Sequence, residues 1–228
     1  MIESIKAVKQ TNRNAYWQNV FLLIATYFLS GYFCINLLRV PPDNYSLLWI
    51  PSGIGLIMFL VLGNSAFLWV LIVNFILNKF TYFQNNSQQL DYYNLFLGFL
   101  NAAIDALQGL IAWKIAIKLE RSQKNPLFTK NSHLIFFSLC VCFLPSFLTS
   151  GLLVLVRTIQ KPEGIDLTTF LKLSVYFTVG NTVGILLVAP LYWARKMHTQ
   201  IKTSQSLYPF VITLSIIFIL FVSFYQFP

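Results

Sequence analysis

The residues Trp49-Ile50-Pro51-Ser52-Gly53-Ile54-Gly55 lie inside an otherwise apolar stretch of the chain. A second such stretch, Gly180-Asn181-Thr182-Val183-Gly184, continues to Pro190 near the other end. Proline removes a backbone donor and glycine loosens a helix, so a membrane span tolerates them where nearby protein or water satisfies the freed backbone groups. The two stretches therefore predict two broken helices in a functional region inside a membrane.

The composition places the chain in a bilayer. Of its 228 residues, 57% are hydrophobic and only 10% are charged, far from the balance of a soluble domain. A helix needs about 20 apolar residues to cross the hydrocarbon. We predict an all-α integral membrane protein, a polytopic bundle of about seven transmembrane helices forming one domain over residues 1–228. The predicted spans are 17–38, 47–63, 64–78, 92–113, 133–156, 170–193 and 207–227.

Two of these spans are short and nearly continuous. Only Gly63-Asn64, a dipeptide suited to a tight turn, separates 47–63 from 64–78. The region 47–78 is therefore either a short helical hairpin or a re-entrant pair. Both alternatives return the chain to the side from which it came.

The distribution of Lys and Arg predicts the orientation. With the N-terminus in the cytoplasm, eleven of the sixteen cations fall in the inner segments and five outside. This arrangement predicts a multi-pass protein of the inner (plasma) membrane, with Pro228 outside if there are seven spans. The net charge of +9 is spread over loops beside the spans, so the expected partner is the anionic lipid of the bilayer and not nucleic acid.

Cysteine and histidine indicate neither a metal site nor a cofactor. Cys34, Cys140 and Cys142 lie in apolar spans, where they are small hydrophobic residues, and His133 and His198 are far apart in sequence. Cys140 is two helical turns from His133, about 10 Å, which is a poor arrangement for a nucleophile and its base. We predict no catalytic residues.

Asp105 is the only acidic residue within a predicted span. Asn101 and Gln108 lie four residues before it and three after it, so the three share one helix face. An ionisable residue inside a membrane is by default a functional candidate. The alternative is that these side chains join helices by hydrogen bonds. The neighbouring spans supply further polar groups at Ser52, Asn74, Asn181 and Thr182.

The glycines have a structural interpretation as well. Small residues let helices approach closely, and Gly180 and Gly184 have the spacing of a small-residue packing motif. The residues assigned to this structural motif are Trp49, Pro51, Gly53, Gly55, Gly180, Gly184 and Pro190.

The order of these motifs resembles the first type of the membrane-associated sensor family. The resemblance rests on Leu48 to Leu56, on Leu60 to Gly63, on the segment from Gly98 to Gly109, and on Val179 through Leu191, and it covers about residues 20–195. It implies a bacterial integral membrane sensory domain, the kind of signal-input domain that precedes histidine kinases and cyclic-di-GMP enzymes. A small ligand or a membrane state would be its stimulus.

The chain departs from the family pattern in two places. An acidic residue usually follows the glycine that matches Gly180, and here it is Asn181, which leaves Asp105 as the sole carboxylate in a span. Family members usually carry an output module after the spans, and none lies within residues 1–228. We therefore expect a stand-alone sensor-like protein with a separate signalling partner, a remnant, or a fragment cut before an eighth span and an output domain, with a homodimer as a further expected assembly.

Three function classes remain open. The first is the sensory domain, with Asp105, Asn101, Gln108, Asn181, Thr182 and Ser52 as its candidate ligand-binding residues. The second is a small transporter or substrate-capture component, because broken helices in two halves of a chain are typical of a midplane site. A membrane enzyme around Cys140 is the least favoured.

Overall fold

The computed structural model describes residues 2–40, 45–46, 48–85, 92–122, 131–160 and 166–198. This part of the chain is helical except for two strands of two residues each and the connecting residues 38, 48–49 and 166, which confirms the all-α class. The helices are α1 Ile2–Leu37, α2 Ile50–Leu62, α3 Ala66–Asn85, α4 Tyr92–Ser122, α5 Asn131–Phe136, α6 Leu144–Gln160 and α7 Leu167–His198. The strands β1 Arg39–Val40 and β2 Tyr45–Ser46 pair antiparallel between α1 and α2.

Helices α2 and α3 form a hairpin around a 3-10 turn at Gly63–Ser65. Gly63 has φ +65°, a left-handed conformation that favours glycine. Pro51 at the start of α2 and Leu77 near the end of α3 both lie against Gly31 of α1, so α3 returns to the level at which α2 began. The antiparallel pair predicted for 47–78 is therefore confirmed.

The two limbs of this hairpin differ in length. Helix α2 has 13 residues, about 20 Å, and α3 has 20 residues, about 30 Å. Because the hydrocarbon core is about 30 Å thick, α2 is too short to cross it and α3 is long enough. By length alone, one limb of the hairpin could cross the hydrocarbon and the other could not.

Five stretches of the described chain are long and apolar enough to cross a membrane: Tyr16–Leu37, Ile50–Phe80, Tyr92–Arg121, Ser132–Val156 and Leu167–Trp193. Four of them match predicted spans one to one. Predicted spans 47–63 and 64–78 together fall in Ile50–Phe80, and predicted span 207–227 lies outside the described residues. The count of seven spans is not confirmed.

The prediction of a second broken helix is wrong. Helix α7 runs without interruption from Leu167 to His198, with Pro190 inside it. Proline removes the hydrogen bond to the carbonyl of Leu186, and its ring crowds that carbonyl. Pro190 and its neighbours Ala189 and Trp193 are buried, and this packing holds the helix together across the missing bond.

The bundle has two distinguishable ends. The hydroxyl of Tyr16 lies 3.2 Å from Ser65 Oγ, and the rings of Trp17 and Trp69 are 5.8 Å apart. The membrane-length part of α1 therefore begins beside the Gly63–Ser65 turn. We call this the turn end. The opposite, strand end carries β1 and β2.

Helix α2 lies in the middle of the core. Its Leu56 packs with Phe137, Ile185 and Trp193 in one buried cluster. On other faces α2 contributes Ile54, Met58 and Phe59 to a second cluster, together with Tyr27, Val70, Val73, Leu77 and Ala106. Helix α2 therefore connects the two hydrophobic clusters.

Asp166 caps the first turn of α7 at the strand end. The Thr169 amide donates to Asp166 Oδ2 at 3.4 Å and the Phe170 amide to the Asp166 carbonyl at 2.9 Å. Hydrogen bonding from the Thr169 side chain lowers the pKa of Asp166 below its ordinary 3.8. A lowered pKa means that the contact is present above the pKa of the unfolded carboxyl and is lost as the pH falls through the folded value.

We expect acidification to fray the first turn of α7. Hydrogen exchange at the Thr169 and Phe170 amides, corrected for intrinsic exchange, should lose protection below the folded pKa of Asp166. Asp166→Asn keeps a good capping residue without a titrating proton, so its protection should not depend on pH in that window. Equal pH dependence in both proteins would contradict this assignment.

Candidate functional site

The amino end of α2 lies against the middle of α7. The Trp49 amide donates to the Gly180 carbonyl at 3.1 Å. Gly180 is about 20 Å along α7 from its first residue at the strand end. Helix α2 therefore starts inside the bundle, with its amino-terminal turn surrounded by protein.

Glycines make this crossing possible. A methyl group at Gly184 would overlap the carbonyl oxygen of Trp49, and one at Gly53 would overlap the Gly184 carbonyl and lie 2.6 Å from Val188 Cβ. A methyl group at Gly55 would meet nothing nearer than Tyr27 Cε2, at 3.6 Å. Gly53 and Gly184 are therefore the pair that lets the two backbones touch.

A chain of hydrogen bonds continues from this crossing. Ser52 Oγ donates to Asn181 Oδ1 at 2.8 Å, and Asn181 Nδ2 donates to Gln108 Oε1 at 3.0 Å. Gln108 Nε2 then donates to Ser146 Oγ at 3.0 Å. Three of the predicted site residues thus join α2, α7, α4 and α6. We call Ser52, Asn181, Gln108, Ser146 and Thr149 the polar network.

Ser146 and Thr149 are members that the sequence prediction missed. Ser146 Oγ donates to the Cys142 carbonyl at 2.6 Å. Thr149 Oγ1 lies 2.8 Å from the Pro145 carbonyl and 3.3 Å from Gln108 Oε1. A hydroxyl has one proton to donate, and the shorter distance favours the Pro145 carbonyl. The sequence does carry a signal for these two residues: they are hydroxyls three residues apart, beside Pro145, in an apolar span.

A π-helical turn, Phe137–Phe143, precedes these residues. The Leu144 amide donates to the Leu139 carbonyl, five residues back. Pro145 has no amide with which to continue the α-helical pattern, which accounts for the widened turn. Such turns occur frequently at functional sites. The Cys142 carbonyl, inside the turn, accepts from a side chain.

Asp105 faces a different neighbour from Gln108. Asn74 Nδ2 of α3 donates to Asp105 Oδ2, whereas Gln108 bonds to α6 and α7. The face predicted for Asn101, Asp105 and Gln108 therefore divides between two interfaces of α4. Residues three apart on a helix diverge by about 60°, given 3.6 residues per turn, and α3 and α6 contact the two resulting directions.

Besides Asp105, two predicted site residues lie outside the polar network. Asn101 Oδ1 and Thr182 Oγ1 are buried atoms with no hydrogen-bond partner in the part of the chain that the structure describes. A buried polar atom of this kind calls for an explanation, such as a water molecule or a ligand.

The chemistry available here is hydrogen bonding by neutral groups. The polar network contains hydroxyls and amides, which donate and accept, and the amino end of α2 adds the positive end of a helix dipole. No three His, Cys, Asp or Glu residues of the described chain gather as metal ligands. Cys140 and His133, also within the described residues, make no hydrogen bond to each other.

The family model MASE1 matches residues 17–226, which is most of the chain. The chain belongs to the MASE1 family. This confirms the resemblance indicated by Leu48–Leu56, which we call the α2 motif, and by Val179–Leu191, which we call the α7 motif. No curated protein and no solved structure matches the chain.

MASE1 domains are membrane sensory domains, so this chain is a membrane protein of the sensory class. The MASE1 match includes α2, α7 and all of the polar network. Gly53 and Gly184 lie at one helix crossing, and Asn181 of α7 contacts Ser52 of α2. The stretches Leu48–Leu56 and Val179–Leu191 are therefore two sides of one contact.

Proposed function

We propose that this MASE1 domain detects its stimulus through the contact between α2 and α7, and that Ser52, Asn181 and Gln108 bind a small polar ligand there. The observation that carries the proposal is the position of the α2 amino end, buried inside the bundle, where Ser52 bonds to Asn181 of α7 and Asn181 bonds in turn to Gln108 of α4, which bonds to Ser146 of α6. A ligand that competes for these bonds would change how α2 packs.

The energies favour such a switch. Hydrogen bonds between membrane helices contribute about 0.6 to 2 kcal/mol each, so one ligand with several donors and acceptors can replace them. A ligand shifts a conformational equilibrium only by its difference in affinity for the two states. Because α2 packs in both hydrophobic clusters, a change in its position would reach both halves of the bundle.

The remaining candidate residues extend the proposed site. Asn101 Oδ1 and Thr182 Oγ1 are buried and have no partner among the described residues, and they would accept and donate hydrogen bonds to the ligand. Asp105, bonded to Asn74, would link the site to α3. The proposed ligand is a small molecule with amide, hydroxyl or carboxylate groups.

The proposed output follows from the proposed orientation in the inner membrane. With the N-terminus in the cytoplasm, the turn end of the bundle faces the cytoplasm as well, beside most of the cations. A partner protein, an output domain joined to the chain, or a second copy in a homodimer would receive the change there.

A metabolite panel tests the ligand site. Purified chain in lipid nanodiscs is screened by thermal shift against small polar metabolites. We expect at least one compound to raise the unfolding temperature, and Ser52→Ala and Asn181→Ala to weaken its binding about tenfold, as removing a bond of about 1.4 kcal/mol would. Thr158→Ala is the control, since its hydroxyl bonds only to the Val154 carbonyl of its own helix. Binding that neither network variant weakens would reject the site.

The same compound tests the movement of α2. After replacement of the native cysteines, spin labels at Val61 of α2 and Leu191 of α7, which are both exposed, report the distance between the two helices. We expect the distance distribution to change when the compound binds. If the distance distribution stays the same when the compound is saturating, these residues bind the compound without moving α2, and the proposed sensing mechanism is rejected.

A transporter or substrate-capture component is the second candidate. The observation that favours it is a helix that starts inside the bundle, as in transporters with midplane sites. The transporter class predicts a second broken helix, but α7 is uninterrupted, which counts against it. Flux of the bound compound into proteoliposomes would support the transporter, and binding without flux would support the sensor.

A further inference from the structure

An open pocket of about 450 Å³ lies at the turn end of the bundle, away from the polar network. Its walls come from α4 and from the Gly63–Ser65 turn. The lining residues are Asn64, Trp113, Lys114, Ile117, Lys118 and Arg121.

Three cations line this pocket from one helix. Lys114, Lys118 and Arg121 follow one another at intervals of four and three residues, which places them on one face of α4. All three are exposed. Glu120 lies on another face of the helix and does not line the pocket. The pocket therefore concentrates positive charge.

The rest of the pocket wall is apolar, apart from one side-chain amide. The ring of Trp113 packs 5.9 Å from that of Phe59, which fixes the indole as one side, and Ile117 lies a turn further along α4. Asn64 adds an amide from the hairpin turn. An occupant would place an anionic group among the cations and could rest an apolar part on Trp113 and Ile117.

We propose that this pocket binds a phosphate group. Arg121 can hold two phosphate oxygens with its planar fork, and Lys114 and Lys118 act as point charges beside it. The phosphate group would belong either to the headgroup of an anionic phospholipid or to a soluble phosphate monoester. Binding would join α4 to the turn of the α2–α3 hairpin. The proposal does not depend on the ligand site of the polar network, since the two share no residue.

Lipid retention tests the first source. The full chain is purified in mild detergent, titrated with phosphatidylglycerol or phosphatidylcholine, and examined by native mass spectrometry. We expect preferential retention of phosphatidylglycerol, with an affinity that falls about fivefold for each cation removed, given about 1 kcal/mol per Lys or Arg near an anionic surface. The variants are Lys118→Gln and the triple replacement of Lys114, Lys118 and Arg121 by Gln.

Lys172→Gln is the matched control. Lys172 is an exposed lysine on α7 that lies over the Tyr176 ring at 5.8 Å, so its loss removes one charge outside the pocket. It should leave lipid retention unchanged. Unfolding temperatures without anion should match the wild type for both single variants, because both side chains are exposed, and Lys118→Gln keeps the test valid if the triple variant fails to fold.

Glycerol 3-phosphate and inorganic phosphate test the second source, by calorimetry in detergent free of anionic lipid. Lipid retention that depends on Lys118 with no binding of either soluble probe assigns the site to a lipid headgroup. Soluble binding that depends on Lys118 assigns it to a phosphate monoester. The proposal is overturned if Lys118→Gln and the triple variant leave both measurements unchanged, or if Lys172→Gln reduces them equally.

Discussion

Gly184→Ala is expected to destabilise the bundle by about 3 kcal/mol, at the upper end of the cost of overpacking a core. The added methyl group would overlap the carbonyl oxygen of Trp49, which is a backbone atom and cannot rotate away as a side-chain end could. Relief requires α2 to move off α7, and that movement breaks the Trp49–Gly180 hydrogen bond. Equilibrium unfolding in detergent micelles measures the loss.

Two glycines of the same chain serve as matched controls. Gly55→Ala, in α2 itself, meets its first atom at 3.6 Å, and Gly151→Ala in α6 meets nothing within 4 Å. Alanine is the better helix former by about 0.5 to 1 kcal/mol, so Gly151→Ala should be neutral or stabilising. Equal effects of Gly184→Ala and Gly55→Ala would contradict the backbone contact between α2 and α7.

Gln108→Leu is expected to cost about 2 kcal/mol, because a buried polar partner left unsatisfied costs about 1 to 3 kcal/mol. The substitution keeps the volume roughly constant but removes the acceptor for Asn181 Nδ2 and the donor to Ser146 Oγ. The effect should be concentrated at the crossing, with faster hydrogen exchange in the first turn of α2 measured alongside the unfolding free energy.

Thr158→Val provides the comparison for this loss. Its hydroxyl returns to the Val154 carbonyl of α6, a local bond with little effect on packing between helices, so we expect a change below about 0.5 kcal/mol. A double-mutant cycle between Ser52→Ala and Gln108→Leu should show coupling, since Asn181 bonds to both. Strict additivity would mean that the network is a set of independent contacts.

Hydrophobic length and turn residues predicted most of the bundle. The spans 17–38, 92–113, 133–156 and 170–193 correspond to membrane-length helices, and Gly63-Asn64 correctly indicated the turn of a hairpin. These features depend on local composition, which a sequence records directly.

Features that depend on packing were predicted less well. Glycines and a proline in the α7 motif indicated a broken helix, but α7 continues because its neighbours are buried against other helices. The same residue types in the α2 motif do mark a helix start. The two motifs differ in the helices against which they pack, and this difference depends on the tertiary structure.

The candidate site was predicted in part for the same reason. Residue type and spacing identified Ser52, Asn181 and Gln108 as polar groups in spans, and the structure brings them together. Spacing could not indicate that Asp105 would turn to Asn74 of α3. Ser146 and Thr149 were missed because hydroxyls that bond to their own helix are common in membrane spans.

Gly180 and Gly184 are separated by one helical turn, about 6 Å along α7. Trp49 contacts both of them: its amide donates to the Gly180 carbonyl, and its own carbonyl lies where a methyl group at Gly184 would be. The two glycines therefore fix the start of α2 along the axis of α7, because a shift of one turn in either direction would break the hydrogen bond and move the Trp49 carbonyl away from Gly184.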